Sequence, residues 1–310
     1  MDIMIMLPLA MTIDLILGEP PLLIHPVVWM GRLISFLEKF SIGQPAPVQL
    51  VYGMAMALFL TGLFGAATYF VLFYVKNFNP IAYLIIGAVL LKSTLSLKEL
   101  RNAALRVKSS LLREKPEEAR YELRSLVSRD TQHLSEPLLV SATVESVAES
   151  TCDSLIAPLF YFLLFGVPGA VAYRAVNTLD AMIGYHGKYE YLGKFSSRLD
   201  DVLNFIPARL TALLLIAASF FSGKRTQCSW WIAVNEHSKT ESPNAGWPIA
   251  AVAGALDIQL EKTGHYKLGR AGAPLIPATI DASLRLVLIA ASIWVIISLA
   301  AGGISFALTT

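Results

Sequence analysis

Long apolar stretches alternate with polar segments along the chain. The clearest stretches, residues 51–75 and 286–308, contain no charged side chain. A membrane-spanning helix needs about 20 largely apolar residues, so both stretches are predicted to cross a membrane. Shorter or interrupted stretches, residues 3–17, 80–97 and 210–222, repeat the pattern and are predicted as further spans or as buried core helices.

Residues 155–173 form an apolar stretch that two prolines and two glycines interrupt. If this stretch crossed a membrane once, the polar residues 174–207 would lie on the opposite side from residues 98–153. Irregular backbone at membrane depth is tolerated where protein or a cavity surrounds it. A re-entrant or paired-helix arrangement keeps the polar segments on one side, and we predict that arrangement. A buried core helix is the alternative.

Composition agrees with a membrane location. Hydrophobic residues make up 55% of the 310 residues and charged residues only 15%, where soluble domains carry about 25% charged residues. Mean hydropathy is +0.57. The sequence therefore predicts an all-α polytopic membrane protein, with residues 1–310 as one integral membrane domain. We expect about four to six membrane helices, one of them re-entrant, and helical cytoplasmic loops.

A basic segment sets the predicted orientation. Residues 98–129, which lie in a polar segment of residues 98–153, contain nine basic and five acidic residues. Loops rich in lysine and arginine stay in the cytoplasm, so this segment is predicted to be cytoplasmic. Oppositely charged residues such as Glu117 and Arg120 recur at one-turn spacing, and Pro116 suits a helix start. The segment is therefore predicted to be helical.

Several function classes are excluded by missing patterns. Cys152 and Cys228 have no partner at zinc-site or redox spacing, so we expect neither a disulfide framework nor a zinc site. No phosphate-binding loop, dinucleotide fingerprint, zinc-protease motif or nucleophile elbow occurs. No basic run is typical of a nucleic-acid partner, and the net charge is only +2.

Three carboxylates recur every fourth residue, at Glu145, Glu149 and Asp153. On a helix this spacing places them along one face, where like charges repel unless something offsets them. Mg²⁺ binds one or two carboxylates together with substrate phosphates, which makes a metal one interpretation. A solvated face, or pairing with nearby arginines, is the other. Arg129 can hold a phosphate or carboxylate in fork geometry, or form a structural ion pair with Asp130.

Further polar residues occur in the segments 174–209 and 223–285. Arg174, Asn177 and Asp180 recur every third residue, on one helix face. They are followed by cations and carboxylates at Lys188, Arg198, Asp200, Asp201 and Arg209. This mixture indicates either a site for an anionic substrate plus metal or a cytoplasmic loop.

Two isolated residues complete the candidates. Asn244 lies in a loop that glycine and proline punctuate. His25 stands in the same segment as Asp14 and Glu19, where it is either structural or a proton shuttle.

Ordered motifs resemble one known family, the adenosylcobinamide-phosphate synthases, often called CobD or CbiB. The motifs cover about residues 14 to 270 and occur in family order: Asp14 to Pro20, His25 to Val27, Met30 to Arg32, Ser128 to Thr131, Glu145 to Glu149, Tyr173 to Asp180, Met182 to Tyr185, Ser197 to Asn204, Ile206 to Thr211 and Ser242 to Pro248. One departure is Ser150, where the family often has Asn; if that Asn serves a ligand, Ser150 replaces it with another hydrogen-bonding group. AmpE-like membrane proteins share part of the pattern.

The resemblance implies a multi-pass ligase of the cell (inner) membrane, with its active site facing the cytoplasm. Such an enzyme uses ATP and Mg²⁺ to join adenosylcobyric acid, a corrinoid, to the amine of (R)-1-amino-2-propanol O-2-phosphate. Ethanolamine phosphate is an alternative aminoalcohol phosphate. The expected partners are these substrates, membrane lipid, no nucleic acid, and a complex with other late cobalamin-pathway enzymes.

Roles for the candidate residues follow as hypotheses. Metal binding is assigned to Glu145, Glu149, Asp153 and Asp180. Substrate and phosphate binding is assigned to Arg129, Arg174, Asn177, Lys188, Arg198, Arg209 and Asn244. Catalytic roles, including the base that accepts a proton from the amine, are assigned to His25, Asp200 and Asp201. The alternatives are a non-catalytic corrinoid-binding or transport protein and an AmpE-like membrane sensor.

Overall fold

Helices account for most of the structure, a computed structural model that describes residues 2–19, 23 and 25–309. Pro20, at the end of the first family-like motif, lies outside the described residues. The elements follow in chain order: α1 (Asp2–Leu17), α2 (Pro26–Leu37), α3 (Ala46–Phe78), α4 (Pro80–Lys92), α5 (Leu97–Leu112), α6 (Pro116–Leu123), α7 (Glu136–Thr151), α8 (Ala157–Ile183), α9 (Lys194–Phe221), α10 (Thr226–Glu236), α11 (Gly246–Leu256), β1 (Gln259–Lys262), β2 (Tyr266–Gly269) and α12 (Pro277–Thr309).

Local sequence explains where these helices begin. Asn79 caps α4: its Oδ1 accepts hydrogen bonds from the backbone N–H groups of Ile81 (2.9 Å) and Ala82 (3.1 Å), and Pro80 occupies the first helical position. Asparagine caps and N-terminal prolines both favour a helix start. α6 begins at Pro116, as the sequence predicts.

Five helical stretches among the described residues are long and apolar enough to cross a membrane. They are Ala46–Phe78, Pro80–Leu112, Glu136–Ile183, Lys194–Phe221 and Pro277–Ile304. The prediction of an all-α polytopic membrane protein is confirmed, and the number of spans falls within the expected range. α1 is shorter, with 16 residues.

Two segments contain structure that the sequence pattern did not indicate. The polar residues before residue 210 belong to the same helix, α9, as the apolar residues 210–222, because nothing between Lys194 and Phe221 ends it. The segment 223–285 contains an antiparallel hairpin of β1 and β2, in which Leu260 pairs with Leu268. The hairpin is too short for its alternating pattern to stand out in the sequence.

The chain reverses direction within α8, at Gly166. This residue has φ 66° and ψ −165°, a conformation open essentially to glycine alone. The rings of Tyr161 and Tyr173 stack with their centroids 5.1 Å apart. Twelve residues of straight helix would separate them by about 18 Å. The two arms of α8 therefore form the paired-helix arrangement that the sequence favours for residues 155–173.

The described chain divides into two compact units. Unit 1 consists of Met1–Ser96, Ala157–Asn204 and Ser298–Thr310. In this unit α3 packs against α8 and α4, α1 packs against α4, and α2 packs against α8. Buried apolar residues at the contact between α2, α3 and α8 include Ile34, Met56, Leu60, Leu179, Ile183 and Leu192.

Unit 2 consists of Leu97–Ile156 and Phe205–Ile297. Here α5 packs against α6 and α7, β1 packs against α7, and α10 packs against α11. α7 is buried along nearly its whole length, because β1, α5, α6 and α11 all contact it. A buried helix fixes its polar side chains firmly, and one such side chain is Glu145.

Candidate functional site

The first polar cluster, which we call the Asp200 cluster, consists of Tyr173, Arg174, Asn177, Asp180, Asp200 and Asn204 in unit 1. The Arg174 Nη1 donates to Asn177 Oδ1 (3.1 Å), as their three-residue spacing predicts. Asn177 Nδ2 lies 3.5 Å from Asp200 Oδ1, and Asn204 Nδ2 donates to Asp200 Oδ2 (2.9 Å). The Tyr173 hydroxyl donates to Asn204 Oδ1 (2.8 Å) and orients that amide.

Carboxylates accumulate in this cluster. Asp180 and Asp201 are both charged neighbours of Asp200. Asp180 also accepts a hydrogen bond from Ser197, which joins α8 to the first turn of α9. Within the part of the chain that the structure describes, neither Asp180 nor Asp200 forms an ion pair with lysine or arginine. The Asp200 cluster is therefore rich in negative charge.

Arg174 has an unsatisfied group. Its Nε is buried and forms no hydrogen bond with any described residue. A buried donor without a partner destabilises the folded protein by roughly 1–3 kcal/mol, so such a donor is expected to have a functional role. An oxygen of a phosphate or carboxylate ligand would satisfy it in the fork geometry that arginine provides.

Two predicted binding residues of unit 1 lie at its surface. Lys188 is exposed, and its Nζ donates to the hydroxyl of Tyr189 (3.0 Å), which raises the pKa of the lysine. Arg198 is exposed and pairs with Asp201 one turn along α9, at 3.7 Å. The structure brings neither cation into contact with Asp200.

His25 belongs to a separate buried network in unit 1. It caps α2, because its Nδ1 accepts a hydrogen bond from the Val27 N–H (3.2 Å). Its Nε2 lies 2.7 Å from Glu19 Oε2, which in turn contacts Lys92 Nζ at 2.8 Å. Lys92 is also 3.4 Å from Asp14, and both of these side chains are almost wholly buried. Both ring nitrogens of His25 are therefore engaged within the protein.

The charge of Glu19 follows from these contacts. Burial by itself raises the pKa of Glu19, but hydrogen bonds from His25 and Lys92 outweigh it and leave the pKa below its usual value. Lys92 is thus matched by acidic groups, as a buried cation requires. Sequence reasoning missed Lys92, although its position as the single charge in residues 80–97 was a usable signal.

The second cluster, which we call the Glu145 cluster, consists of Arg129, Ser141, Glu145 and Tyr266 in unit 2. The Ser141 hydroxyl donates to Glu145 Oε1 (2.8 Å), and the Tyr266 hydroxyl donates to Oε2 (3.1 Å). Arg129 Nη2 lies 3.4 Å from the same Oε2. The Nε of Arg129 is buried and has no partner among the described residues.

Tyr266 is a residue that the sequence did not single out. The β hairpin delivers it to α7, and the backbone N–H of Glu261 on β1 donates to Ser141 Oγ (2.8 Å), which fixes the hairpin on that helix. Burial, followed by the charges of Glu145 and Glu149, raises the pKa of Tyr266 well above its usual value. The phenol therefore stays protonated and keeps donating to Glu145.

The predicted carboxylate stripe continues only in part. Glu149 is exposed one turn after the buried Glu145, and Asp153 lies in a π-helical turn, Cys152–Ile156, where the helix phase changes. Throughout residues 2–19, 23 and 25–309, no group of three or more His, Cys, Asp or Glu side chains is arranged to hold a metal ion. A Mg²⁺ ion that arrives with substrate phosphates needs only one or two carboxylates, which either cluster can supply.

Arg209 lies in an aromatic stack in unit 2. Its guanidinium carbon is 3.5 Å from the ring centroid of Phe205 and 5.1 Å from that of Trp247, which itself stacks on His237. Its Nη1 donates to the Phe205 carbonyl (2.6 Å) and approaches Asn244 Oδ1 (3.3 Å). Arg209 and Asn244, which the sequence gave as separate candidates, are thus in contact. Aromatic faces hold an arginine by cation–π attraction and so fix its orientation.

Comparison with known proteins assigns the family. The family model described as CobD/Cbib protein matches residues 7–293. The cobalamin biosynthesis protein CobD of Dehalococcoides mccartyi is 51% identical over 298 residues, which cover 96% of this chain and 97% of that protein. A probable cobalamin biosynthesis protein CobD of Methanothermobacter thermautotrophicus is 42% identical, with coverage of 84% and 85%. The CobD protein of Geobacter metallireducens is 39% identical, with coverage of 89% and 86%.

No solved structure matches the chain. The family match spans most of the sequence and includes the residues of both clusters. The sequence resemblance is thereby confirmed, and with it a role in cobalamin biosynthesis: this multi-pass membrane protein belongs to the CobD/CbiB family.

Proposed function

We propose that this protein is an acid–amine ligase that forms an amide between adenosylcobyric acid and (R)-1-amino-2-propanol O-2-phosphate, at the expense of ATP. Membership of the CobD/CbiB family supports the pathway. The observation that carries the site assignment is the buried Arg174 Nε, unpartnered among the described residues and next to the carboxylate-rich Asp200 cluster. Such a donor beside acidic groups suits a phosphate that is bound together with a divalent cation.

The chemistry requires an activated carboxylate. An oxygen of the corrinoid carboxylate attacks the γ-phosphorus of ATP, and ADP leaves, which gives an acyl phosphate. A base first takes one proton from the ammonium of the aminoalcohol phosphate. The neutral amine nitrogen then attacks the acyl carbon, and inorganic phosphate leaves and takes up the second N–H proton. Phosphoryl transfer depends mainly on positioning and on neutralising charge.

We assign the positioning of the substrates and the neutralisation of their charge to residues of the Asp200 cluster. Asp180 is proposed as a carboxylate ligand for Mg²⁺, which would supply charge neutralisation at the phosphates. Arg174 is proposed to hold a phosphate or the corrinoid carboxylate through Nε, while Asn177 orients its guanidinium through Nη1. These assignments keep each group within the contacts already described.

Asp200 is the better candidate for the base. Both nitrogens of His25 are occupied, by Val27 and Glu19, so its lone pair would have to leave a cap bond to accept a proton. Among the described residues, the donors to Asp200 are two neutral amides, which leaves lone pairs available. A general base within hydrogen-bond reach contributes about 10²–10⁴-fold to a rate.

Two predicted arginines of unit 2 are given binding roles, and two exposed cations of unit 1 are given an electrostatic role. Arg209 is proposed to bind an anionic substrate group, because Phe205 and Trp247 fix its guanidinium plane and Asn244 holds only Nη1. Arg129 is proposed as a second anion contact through its buried Nε. The exposed cations Lys188 and Arg198 are proposed to attract anionic substrates electrostatically.

We also propose that the protein resides in the cell membrane with its polar segments in the cytoplasm, because residues 98–129 are basic. In a Lys188→Cys variant, whose new thiol is exposed, a membrane-impermeant maleimide should label inside-out vesicles and spare intact cells. Labelling of intact cells to the same extent contradicts the orientation.

The deciding experiment is a single-turnover assay. Purified protein in nanodiscs receives adenosylcobyric acid, aminopropanol phosphate, ATP and Mg²⁺, and mass spectrometry follows the corrinoid product. We expect an amide product that requires all four components. Asp281→Asn serves as the matched control for Asp200→Asn, since Asp281 is exposed and pairs with Lys108 on the surface of unit 2. Corrinoid binding without product by the wild-type protein would support the binding or transport alternative.

A further inference from the structure

A largely apolar cavity of about 510 Å³ lies in unit 1, beside the turn of the α8 hairpin. Its walls include Met6 from α1, Leu72 and Phe73 from α3, and Phe162 and Val167 from the two arms of the hairpin. Ligand pockets in proteins are commonly about 300–1,000 Å³ and mostly apolar, with a few polar groups that fix orientation. No residue of the Asp200 cluster lines this cavity.

Three polar residues lie at the wall of the cavity. The Tyr83 hydroxyl donates to Asp2 Oδ2 (2.7 Å), and Lys76 Nζ approaches the same oxygen at 3.2 Å. Lys76 also lies over the Tyr83 ring, 4.9 Å from its centroid. Because both contacts use Oδ2, the second oxygen of Asp2 remains able to accept a hydrogen bond. The wall therefore presents one cation and one anion side by side.

The surroundings of the cavity are suited to lipid. Tyr69 and Phe73 line it from α3 and are about half exposed, and Phe165 at the hairpin turn is about two-thirds exposed. α3 is the helix with the longest uncharged sequence in unit 1, and it is long and apolar enough to span a membrane. Exposed aromatic and aliphatic side chains on such a helix face acyl chains in a bilayer.

We propose that this cavity binds a phospholipid with a primary-amine headgroup, of the phosphatidylethanolamine class. One acyl chain fills the apolar space, the phosphate contacts Lys76 Nζ, and the ammonium contacts Asp2 Oδ1. The zwitterionic headgroup complements the pair of charges, where an anionic lipid would satisfy only the lysine. The binding is non-covalent and independent of the proposed ligase reaction.

The bound chain also supports the hairpin. Gly166 and Val167 line the cavity at the turn, and the arm that starts there continues to Arg174 and Asp180. An occupant that binds only the folded hairpin stabilises it by mass action. The lipid is therefore expected to raise the thermal stability of the protein.

Native mass spectrometry of protein released from detergent tests the acyl-chain contact. The wild-type protein should retain about one phosphatidylethanolamine per chain. Leu163→Trp adds bulk to a residue that lines the cavity and should lower retention at least about tenfold. The matched control is Leu164→Trp, at the exposed neighbouring position outside the lining, which should retain lipid as the wild type does. Equal retention by both variants overturns the proposal.

A second measurement tests the headgroup contacts without depending on bulky substitutions. Delipidated wild-type protein should gain thermal stability on addition of phosphatidylethanolamine, and gain less with phosphatidylcholine or phosphatidylglycerol of the same chains. Lys76→Gln should weaken the apparent affinity roughly tenfold, since it removes a charge-assisted contact to phosphate. Identical stabilisation by all three lipids, unchanged in Lys76→Gln, overturns the headgroup assignment. Lipid retention and thermal stabilisation are both measured without substrate. They therefore test the lipid site whether or not the ligase assay gives a product.

Discussion

The Glu145 and Asp200 clusters differ in the partners and charges that surround their central carboxylate. Glu145 accepts hydrogen bonds from the Ser141 and Tyr266 hydroxyls and lies within ion-pair distance of Arg129. Asp200 accepts only from two neutral amides, and its charged neighbours, Asp180 and Asp201, are acidic as well. One carboxylate is compensated by its own protein, and the other is crowded by like charge.

This difference indicates which cluster has a structural role and which one takes part in the reaction. A buried carboxylate that is paired and hydrogen-bonded is stable as it stands, and removal of it leaves an arginine without its counter-charge. A carboxylate crowded by other acids gains from a cation that comes from outside, such as Mg²⁺ or the ammonium of an amine substrate. We therefore interpret the Asp200 cluster as the place of reaction and the Glu145 cluster as a structural anchor for α7 that also orients Arg129.

The largest expected effect is that of Asp200→Asn on turnover. The substitution keeps the shape and one of the two amide contacts but removes the charge and the basic lone pairs, so the single-turnover rate should fall about 10²–10⁴-fold. Thermal stability should be unchanged or higher, because one of three neighbouring negative charges is gone. A rate within twofold of wild type in this variant would remove Asp200 from the reaction.

The next largest effect is expected at the turn of the α8 hairpin. This hairpin carries residues of the Asp200 cluster and none of the Glu145 cluster. Gly166→Ala places a side chain at φ 66° and ψ −165°, so we expect a loss of about 1–3 kcal/mol in the free energy of unfolding. Gly62→Ala in α3 is the control, because its new methyl group meets open space and alanine is the better helix former. If both variants are equally stable in denaturant titrations, the reversal at Gly166 is not the conformation of the protein.

Glu145→Gln should lower the free energy of unfolding by about 1–3 kcal/mol, because it leaves Arg129 facing a neutral amide. The effect is smaller than for a fully buried pair, because Arg129 is partly exposed. Glu149→Gln, one turn later and exposed, should change stability by less than about 0.5 kcal/mol. Denaturant unfolding measures both.

The Glu149→Gln variant also tests the metal hypothesis. If Glu149 holds Mg²⁺, Glu149→Gln should raise the Mg²⁺ concentration needed for half-maximal turnover. Wild-type turnover of this variant at limiting Mg²⁺ would end the assignment of Glu149 as a metal ligand and leave Asp180 as the candidate in the Asp200 cluster.

Sequence periodicity predicted which residues share a helix face, and it did so well in α8. The three-residue spacing of Arg174 and Asn177 became a direct hydrogen bond. Apolar stretches likewise located α3 and α12, because a membrane span needs a length and composition that can be read along the chain. The glycine at residue 166 was visible as an interruption, and the preference for polar segments on one side pointed to a reversal there.

Contacts between distant segments could not be read in this way. Tyr266 reaches Glu145 across 121 positions of sequence, and only the short β hairpin, which has no clear pattern, brings it there. The equal spacing of Glu145 and Glu149 gave no sign that one is buried and the other exposed. Burial along α7 depends on its packing against β1, α5, α6 and α11, which come from distant parts of the sequence. Periodicity defines a face, whereas tertiary packing decides the environment of each residue on it.

The smallest expected effect is the pH dependence of the Tyr266 contact. The pKa of Tyr266 is raised in the folded protein, from about 10 in an unfolded chain. A raised pKa means that the contribution to stability is complete below about pH 10 and is lost as pH rises toward the folded value. At pH 8 the free energy of unfolding of the wild type should be larger than that of Tyr266→Phe by about 1 kcal/mol, and this difference should shrink above pH 10. Tyr121→Phe, at an exposed tyrosine, is the control and should show no such change. A margin that stays constant from pH 8 to pH 11 would mean that the phenol does not anchor Glu145, and that the contrast between the two clusters rests on Arg129 alone.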